Sequence, residues 1–416
     1  MRPLRALRIV CLVVAALSAL GPGASLARPA PLSQQQIEAQ FLTALTALNS
    51  GRPEEAIPPL LNLLGQDPSL VRVRLELARA YFEAEQWQRA REEFFIVLSG
   101  DLPDPVRQRV LMFIRAIDSR RSLDWDIDIA LVEAGSNRTY DTDDVTLNFG
   151  GFALPSTLDR SDDSELGLQI ITSVELRRPL AVPPGAIGRP SLFGRLELNS
   201  IDAAGSRFDD LILGARGGLR FVGPTTTTIL APLTSQRRIA GERFEDTVGL
   251  SLAHERRFSS GLFASGAATY SDIENDIRDD QSGHQVQLFL SLSRSIGGRS
   301  AVGVSWTHTD KSVSFDLDNA RSNTLRVFGT VETGNGFAFQ PSVFVGDKHF
   351  KTPSPLFTAD PDERSVGADL RIEKRDLFLF DGFTPYAAIG YERVSSDVDA
   401  YSYRSTDVKV GIERRF

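Results

Sequence analysis

The side chains of this 416-residue chain that could carry chemistry are few and scattered. His254, His284, His308 and His349 stand far apart, with no metal-ligand spacing between them, so they are expected to serve as interfacial or lumenal polar residues. Asp141, Asp143 and Asp144 form an acidic run of the kind that can hold calcium. No Gly-bearing twelve-residue ligand pattern surrounds them, so a solvated acidic loop is the simpler expectation. No G-x-S-x-G elbow, P-loop or dinucleotide fingerprint occurs. The chain is therefore expected to be no enzyme and to need no cofactor and no metal.

Two charged groupings suggest contact chemistry instead. Arg72, Arg74 and Arg79 lie near one face of an expected helix and make a candidate binding surface for a peptide or protein; a solvated basic face is the alternative. Arg195, Glu197, Arg216 and Arg220 alternate with apolar residues in expected strands, which makes them candidate lumen-facing positions. The formal net charge is −8, and loss of Arg2, Arg5 and Arg8 with a leader would take it to −11. That balance argues against a nucleic-acid partner.

The elements that would hold these charges change type near residue 122. From Asp124 onward the chain alternates apolar and polar residues with period two. Trp125, Ile127, Ile129 and Leu131 oppose Asp126 and Asp128, and Phe244, Val248, Leu250 and Leu252 oppose Arg243, Glu245 and Glu255. About fourteen such segments fit the last 290 or so residues, an even number as single-chain bacterial barrels require. The closing segment sets Val408, Val410 and Ile412 against Asp407, Lys409 and Glu413 and ends at Phe416. One face would meet lipid and the other a watery lumen. Stretches such as Ser136–Asp162, Thr309–Arg321 and Gly346–Arg364 read as long outer loops, and Gly223-Pro224 and Thr333–Gly336 as short inner turns. A soluble sandwich or propeller would need a second sheet against each apolar face.

Before residue 122 the pattern is helical. Residues 1–27 read as a signal peptide, with a basic start, an apolar core from Ile9 to Leu20 holding the only cysteine, Cys11, and a small-x-small site ending at Ala27. Between Ser33 and Arg120 apolar residues fall three and four apart. Ala44 and Ala78, Ala56 and Ala90, and Leu60 and Phe94 each lie 34 residues apart, the period of tetratricopeptide repeats. Two repeats are few for independent stability, so the segment from Pro105 to Arg120 is expected to cap them.

The whole pattern resembles the surface lipoprotein assembly modulators, the Slam family. The features that carry the resemblance are LARAYFEAEQWQRAREEF at Leu77–Phe94, the Pro103–Arg121 segment leading into Asp124-Trp125-Asp126, the turn Ser136-Asn137-Arg138, and the Val408–Phe416 strand. The resemblance implies an α+β multidomain protein: a leader at 1–27, a periplasmic tetratricopeptide-like domain at 28–121, and an antiparallel outer-membrane β-barrel of about 14 strands at 122–416. It implies a translocon that carries surface lipoproteins or secreted haem-binding proteins from periplasm to cell surface. The expected partners are outer-membrane lipid, the barrel-assembly machinery reading Phe416, and the client, which Arg72, Arg74 and Arg79 would help to bind. Arg414 departs from the usual assembly signal, where an apolar or aromatic residue is common. A porin-like diffusion channel, an exopolysaccharide export barrel and, against the missing site, an outer-membrane enzyme are the alternatives.

Overall fold

The computed structural model describes residues 33–67, 69–98, 102–120, 123–149, 152–160, 163–182, 188–258, 261–296, 300–333, 336–357, 359–375, 377, 379 and 383–415. The expected leader with Cys11 and the expected assembly signal Phe416 lie outside the described residues.

Among the described residues five helices come first. α1 (Gln34–Asn49) and α2 (Pro53–Gln66) form one pair, α3 (Val71–Glu83) and α4 (Trp87–Leu98) a second, and α5 (Asp104–Arg120) follows. Ser33 starts α1 with a reciprocal cap: its hydroxyl accepts the Gln36 amide (3.3 Å), and Gln36 Oε1 accepts the Ser33 amide (2.9 Å). The two pairs repeat their packing. Ala44, Ala56 and Leu60, and their counterparts Ala78, Ala90 and Phe94, are each at most 1 % exposed. Small residues at four of these positions let the helices approach. The turns repeat too. Arg52 N–H donates to Ala47 C=O across Gly51, and Gln86 N–H donates to Tyr81 C=O across Glu85, with both turn residues in the left-handed region (φ +70° and +57°). α5 packs on the second pair through Phe113, whose ring lies 5.1 Å from those of Phe82 and Phe94.

Among the described residues seventeen strands follow. They are β1 (Leu123–Gly135), β2 (Arg138–Tyr140), β3 (Asp144–Phe149), β4 (Phe152–Thr157), β5 (Ser164–Pro179), β6 (Arg189–Ala203), β7 (Asp210–Val222), β8 (Thr226–Ile239) and β9 (Glu242–Arg257). Then come β10 (Leu262–Asn275), β11 (Gly283–Ile296), β12 (Ser300–Val313), β13 (Ala320–Glu332), β14 (Phe337–Phe350), β15 (Glu363–Lys374), β16 (Thr384–Ser396) and β17 (Tyr403–Arg415). Fourteen of them, β1 and β5 through β17, pair with their sequence neighbours in one antiparallel sheet. β17 pairs back on β1 and closes it into a barrel. β3 and β4 form a separate hairpin within the first long connection.

Alternation decides which face looks out. Leu196, Val248, Leu250, Leu290, Leu131 and Val410 stand exposed on one face of the wall. On the other face, side chains reach over intervening strands. Tyr386 of β16 bonds Asp128 of β1 at 2.6 Å, and Arg371 of β15 comes within 3.8 Å of the same carboxylate. Neighbouring strands lie about 4.8 Å apart, so such reaches close only where side chains converge, on the concave side. The charged face is the lumen, and the apolar face is the outer wall.

The connections are shorter than their Asp-rich sequences suggest. Two stretches expected to be loops, from Thr309 and Gly346, are strand as far as Val313 and Phe350. Beyond the lipid both faces meet water, so alternation fades there while the backbone ladder continues. The two ends still differ. One carries residues 136–163, with β2, β3 and β4, and residues 351–362; the other carries turns such as 223–225 and 333–336. At the same end as the first connection, β8 and β9 are joined by only Ala240 and Gly241, both with positive φ (+52° and +80°), the signature of a type I′ turn.

Candidate functional site

The lumen wall carries two ion-pair networks. The first lies on β5, β6 and β7. Glu175 is its centre, buried, with Arg177 Nε at 2.6 Å, Arg220 Nη1 at 3.2 Å and Arg195 Nη1 at 3.8 Å. Glu197 takes Arg216 at 3.2 Å, and Arg195 Nε lies 2.6 Å away but off the line of a hydrogen bond. The candidates Arg195, Glu197, Arg216 and Arg220 therefore belong to one cluster. Register explains it: Arg195 faces Arg216 on β7 and Glu175 on β5, and the like charges are separated by the glutamates.

The second network lies on the other side of the closure. Arg371 contacts Glu373 and Glu413, both at 2.9 Å, and stacks on Tyr386 with its guanidinium carbon 3.4 Å from the ring centroid. Glu373 also receives Gln340 (2.7 Å) and Arg375 (3.1 Å), and Arg375 pairs with Glu332. Of these residues the alternation had singled out only Glu413, as a polar position of the closing segment. Their clustering depends on a register between strands up to 285 residues apart in sequence, from Asp128 to Glu413, which one strand's pattern does not encode.

The helices meet the short-turn end of the barrel. Arg89 Nη2 on α4 donates to Thr384 Oγ1 (2.8 Å), a buried residue on the inward face of β16. Six residues along the same helix, the Phe95 ring lies 3.8 Å from the guanidinium carbon of Arg257, on the inward face of β9. β9 and β16 are the sixth and thirteenth strands of the fourteen, so they stand on opposite walls. α4 thus lies across the mouth. Phe95, Leu111 and Ile114 also border a cavity of about 60 Å³ with Val222–Thr227 and Arg257. Tyr81 sits beside this contact; burial pushes its phenol up to about 12, against the fields of Arg89 and Arg375.

The other sequence candidates fall elsewhere. Arg74 is buried and paired with Glu93 of α4 at 2.5 Å. Arg72 stacks on Phe41 of α1 (5.2 Å), and Arg79 pairs along its own helix with Glu83 (2.7 Å) and Glu76 (3.6 Å). The three do not form one open cationic surface. Asp141 is held by Arg393 (2.6 Å) and Asp143 by Arg160 (3.0 Å), so arginines take the acidic run. His254 contacts Thr228, His308 contacts Asn323 and His349 contacts Asp362, on separate parts of the wall. Among the described residues no group of three or more His, Cys, Asp or Glu is placed to hold a metal ion. Arg414 lies on the outer face of β17, opposite Ile127, at the short-turn rim.

A closed fourteen-stranded antiparallel barrel, apolar outside and charged within, defines the class: a membrane-spanning barrel of the outer-membrane type. The family model for surface lipoprotein assembly modifiers matches residues 203–416, just over half of the chain, and the chain belongs to that family. It is 21% identical over 379 residues to a surface lipoprotein assembly modifier of Moraxella catarrhalis, covering 90% of this chain and 72% of that protein. It is 20% identical over 391 residues to surface lipoprotein assembly modifier 1 of Neisseria meningitidis serogroup B, covering 92% of this chain and 77% of that one. Among solved structures, the outer membrane channel DcaP of Acinetobacter baumannii overlaps 71% of this chain and 97% of its own at 10% identity, with a TM-score of 0.39. That overlap is loose, and the ring of fourteen rests on this chain's own strand pairing.

Proposed function

We propose that this chain is an outer-membrane translocon that moves a surface lipoprotein, or a secreted haem-binding protein, from periplasm to cell surface. The observation that carries the reading is α4 lying across the mouth of a charge-lined barrel, in a family named for surface lipoprotein assembly. An open diffusion channel has no use for a helix in its mouth. In this reading the short-turn end faces the periplasm, the helices are tetratricopeptide-type and engage the client, and the barrel-assembly machinery inserts the chain through Phe416. The chain is a conduit and not an enzyme.

The contacts of α4 suit a reversible closure. A charged hydrogen bond contributes about 1.5–3 kcal/mol and a cation–π contact about 0.5–2 kcal/mol, so a bound client can displace them. The paired charges of the lumen keep the path wet and offer a passing polypeptide no apolar face to stick to. No nucleotide motif is present in the sequence, so the drive in this reading is binding on one side and folding on the other.

The test is surface display in a heterologous Gram-negative host. The chain is co-expressed with the secreted protein encoded beside it, and intact cells are probed with antibody and protease. Client exposure that needs the chain, and fails when Ser33–Arg120 is deleted from an assembled barrel, supports the translocon. A periplasmic client beside an assembled barrel refutes it for that client, and sugar uptake by liposomes then tests the diffusion channel.

A further inference from the structure

The ring is not evenly closed. Among the described residues β1 and β17 share seven backbone pairs, from Asp126–Arg415 to Val132–Lys409. Every other neighbouring pair shares eleven to fourteen. Above Val132 β1 parts from β17, although it stays paired with β5 as far as Gly135. This glycine has φ +105°, and a Cβ there would meet the Asp163 carbonyl at 2.6 Å. Pairing resumes only where β2 meets β17 at Ser405.

The two faces of this seam differ. On the lumen side, side chains reach over it: Tyr386 to Asp128 (2.6 Å) and Lys409 to Gln169 (3.3 Å). On the outer face lies an apolar concavity of about 540 Å³, lined across the seam by Ile129, Leu131, Val410 and Ile412 and bordered by Ala387 and Leu379.

We infer that the β1–β17 seam is a lateral exit, and that its outer groove holds an acyl chain of the client's lipid anchor while the polypeptide passes the lumen. This rests on the translocon reading above. Each methylene of an acyl chain costs about 0.8 kcal/mol to keep in water, so a long chain does not cross a charge-lined lumen. The acyl chain stays in the bilayer while its protein is inside the barrel, and the wall must open between them. The shortest ladder is where opening breaks fewest backbone bonds. The polar reaches inside re-close it. The groove is assigned to the client's anchor, not to bulk phospholipid, because it lies over the strand pair that the tethered polypeptide must part.

The experiment locks the seam. Leu131 and Val410 face each other in register on the outer wall, so Leu131→Cys with Val410→Cys gives a disulfide bridge across it, and Cys11 is the chain's one native cysteine. Val174→Cys with Leu196→Cys locks β5 to β6 as a control. The expected result is loss of surface exposure for the acylated client with the oxidised seam lock, restored by reductant. The same client without its acylated cysteine still exits, and the control lock changes neither. Equal display of acylated client with seam open and locked overturns the inference, as does equal loss of both client forms. If the acylated client fails to reach the surface even with the unlocked chain, the translocon reading fails instead. A client carrying a photoactivatable acyl chain gives a second readout in the unmodified chain. Labelling concentrated on β1 and β17 supports the groove; labelling spread round the wall, as from a phospholipid bearing the same group, overturns it.

Discussion

The backbone amide of Ala203 donates to the carboxylate of Asp209 at 3.0 Å. Ala203 is the last residue of β6, and Asp209 stands immediately before β7. The same closure joins Asn275 to Ser282, Val313 to Asn319, Phe350 to Asp362 and Ser396 to Ser402. In each case the residue before the returning strand offers a side-chain oxygen to the amide that ends the outgoing one. The ladder has run out at that amide, and an unpaired amide is costly. Five of the seven connections at the long-loop end are tied in this way.

Removing one tie should loosen one loop and leave the barrel intact. Asp209→Ala or Ser402→Ala is expected to cost about 1 kcal/mol locally. Hydrogen exchange on the assembled protein should show faster exchange at the Ala203 or Ser396 amide, respectively, with the facing strands unchanged. Unchanged exchange at those amides would mean that the backbone alone sets the turns.

The two inter-helix turns differ in one residue that matters. Gly51 and Glu85 occupy equivalent left-handed positions, 34 residues apart. A side chain there costs about 1 kcal/mol relative to glycine. Glu85→Gly should therefore stabilise the α3–α4 pair by about 1 kcal/mol, and Gly51→Ala should destabilise α1–α2 by a similar amount. Slower exchange at α3 and α4 amides in the full chain is the check on the first; slower exchange in the Gly51→Ala chain would contradict the second.

α4 can be tested as an obstruction. Phe95→Ala and Arg89→Ala each remove one contact of α4 with a wall of the mouth, on opposite sides. Together they should raise single-channel conductance in planar bilayers well above that of the native chain. Conductance that stays the same would show that ions already pass around the helix.

Much of this architecture was legible in the chain. Fourteen strands followed from alternation because lipid and water impose opposite demands on successive residues, and each expected strand is present. The buried pairs at the 34-residue offset were legible for the same reason: small residues recur where helices touch. Other features had no local sign. Arg89 and Thr384 are 295 residues apart, and nothing beside either residue announces the other. Arg74 sat among basic residues that looked solvent-facing, but helix phase turns it inward onto Glu93 while Arg72 stays outside. Among the lumen candidates the opposite held. Arg195, Glu197, Arg216 and Arg220 were placed on one face by alternation alone, whereas Glu175, which ties them together, became apparent only through register.

Acid should act on the helices at Asp67, the residue that ends α2. Its carboxylate accepts the Ser69 hydroxyl (2.6 Å) and amide (2.9 Å), and these bonds hold it below its usual value of 3.8. A carboxyl depressed in the folded state favours folding at pH above its unfolded value, and that contribution is lost as pH falls through the folded value. The turn is thus supported at neutral pH and weakened below about pH 3.8. Asp67→Asn should lower stability at pH 7 and flatten the dependence in the acid window. Hydrogen exchange at Ser69 across that window reads it, and a native-like slope in Asp67→Asn would assign the dependence to another group.

Arg74 and Glu93 form a buried pair between α3 and α4, with side chains only 4% and 12% exposed. Removing one partner takes from the other its buried counter-charge, which costs about 3–5 kcal/mol in such sites. Arg74→Ala should therefore unfold or loosen the helical region, whereas Arg72→Ala, which loses only a stacking contact on Phe41, should change stability by about 1 kcal/mol at most. Arg74→Met with Glu93→Leu removes both charges and should recover most of the loss. This separates a structural role from a binding one. If Arg74 acts by holding α3 to α4, the double variant restores both helix protection and client display. If it acts by touching the client, protection returns and display does not.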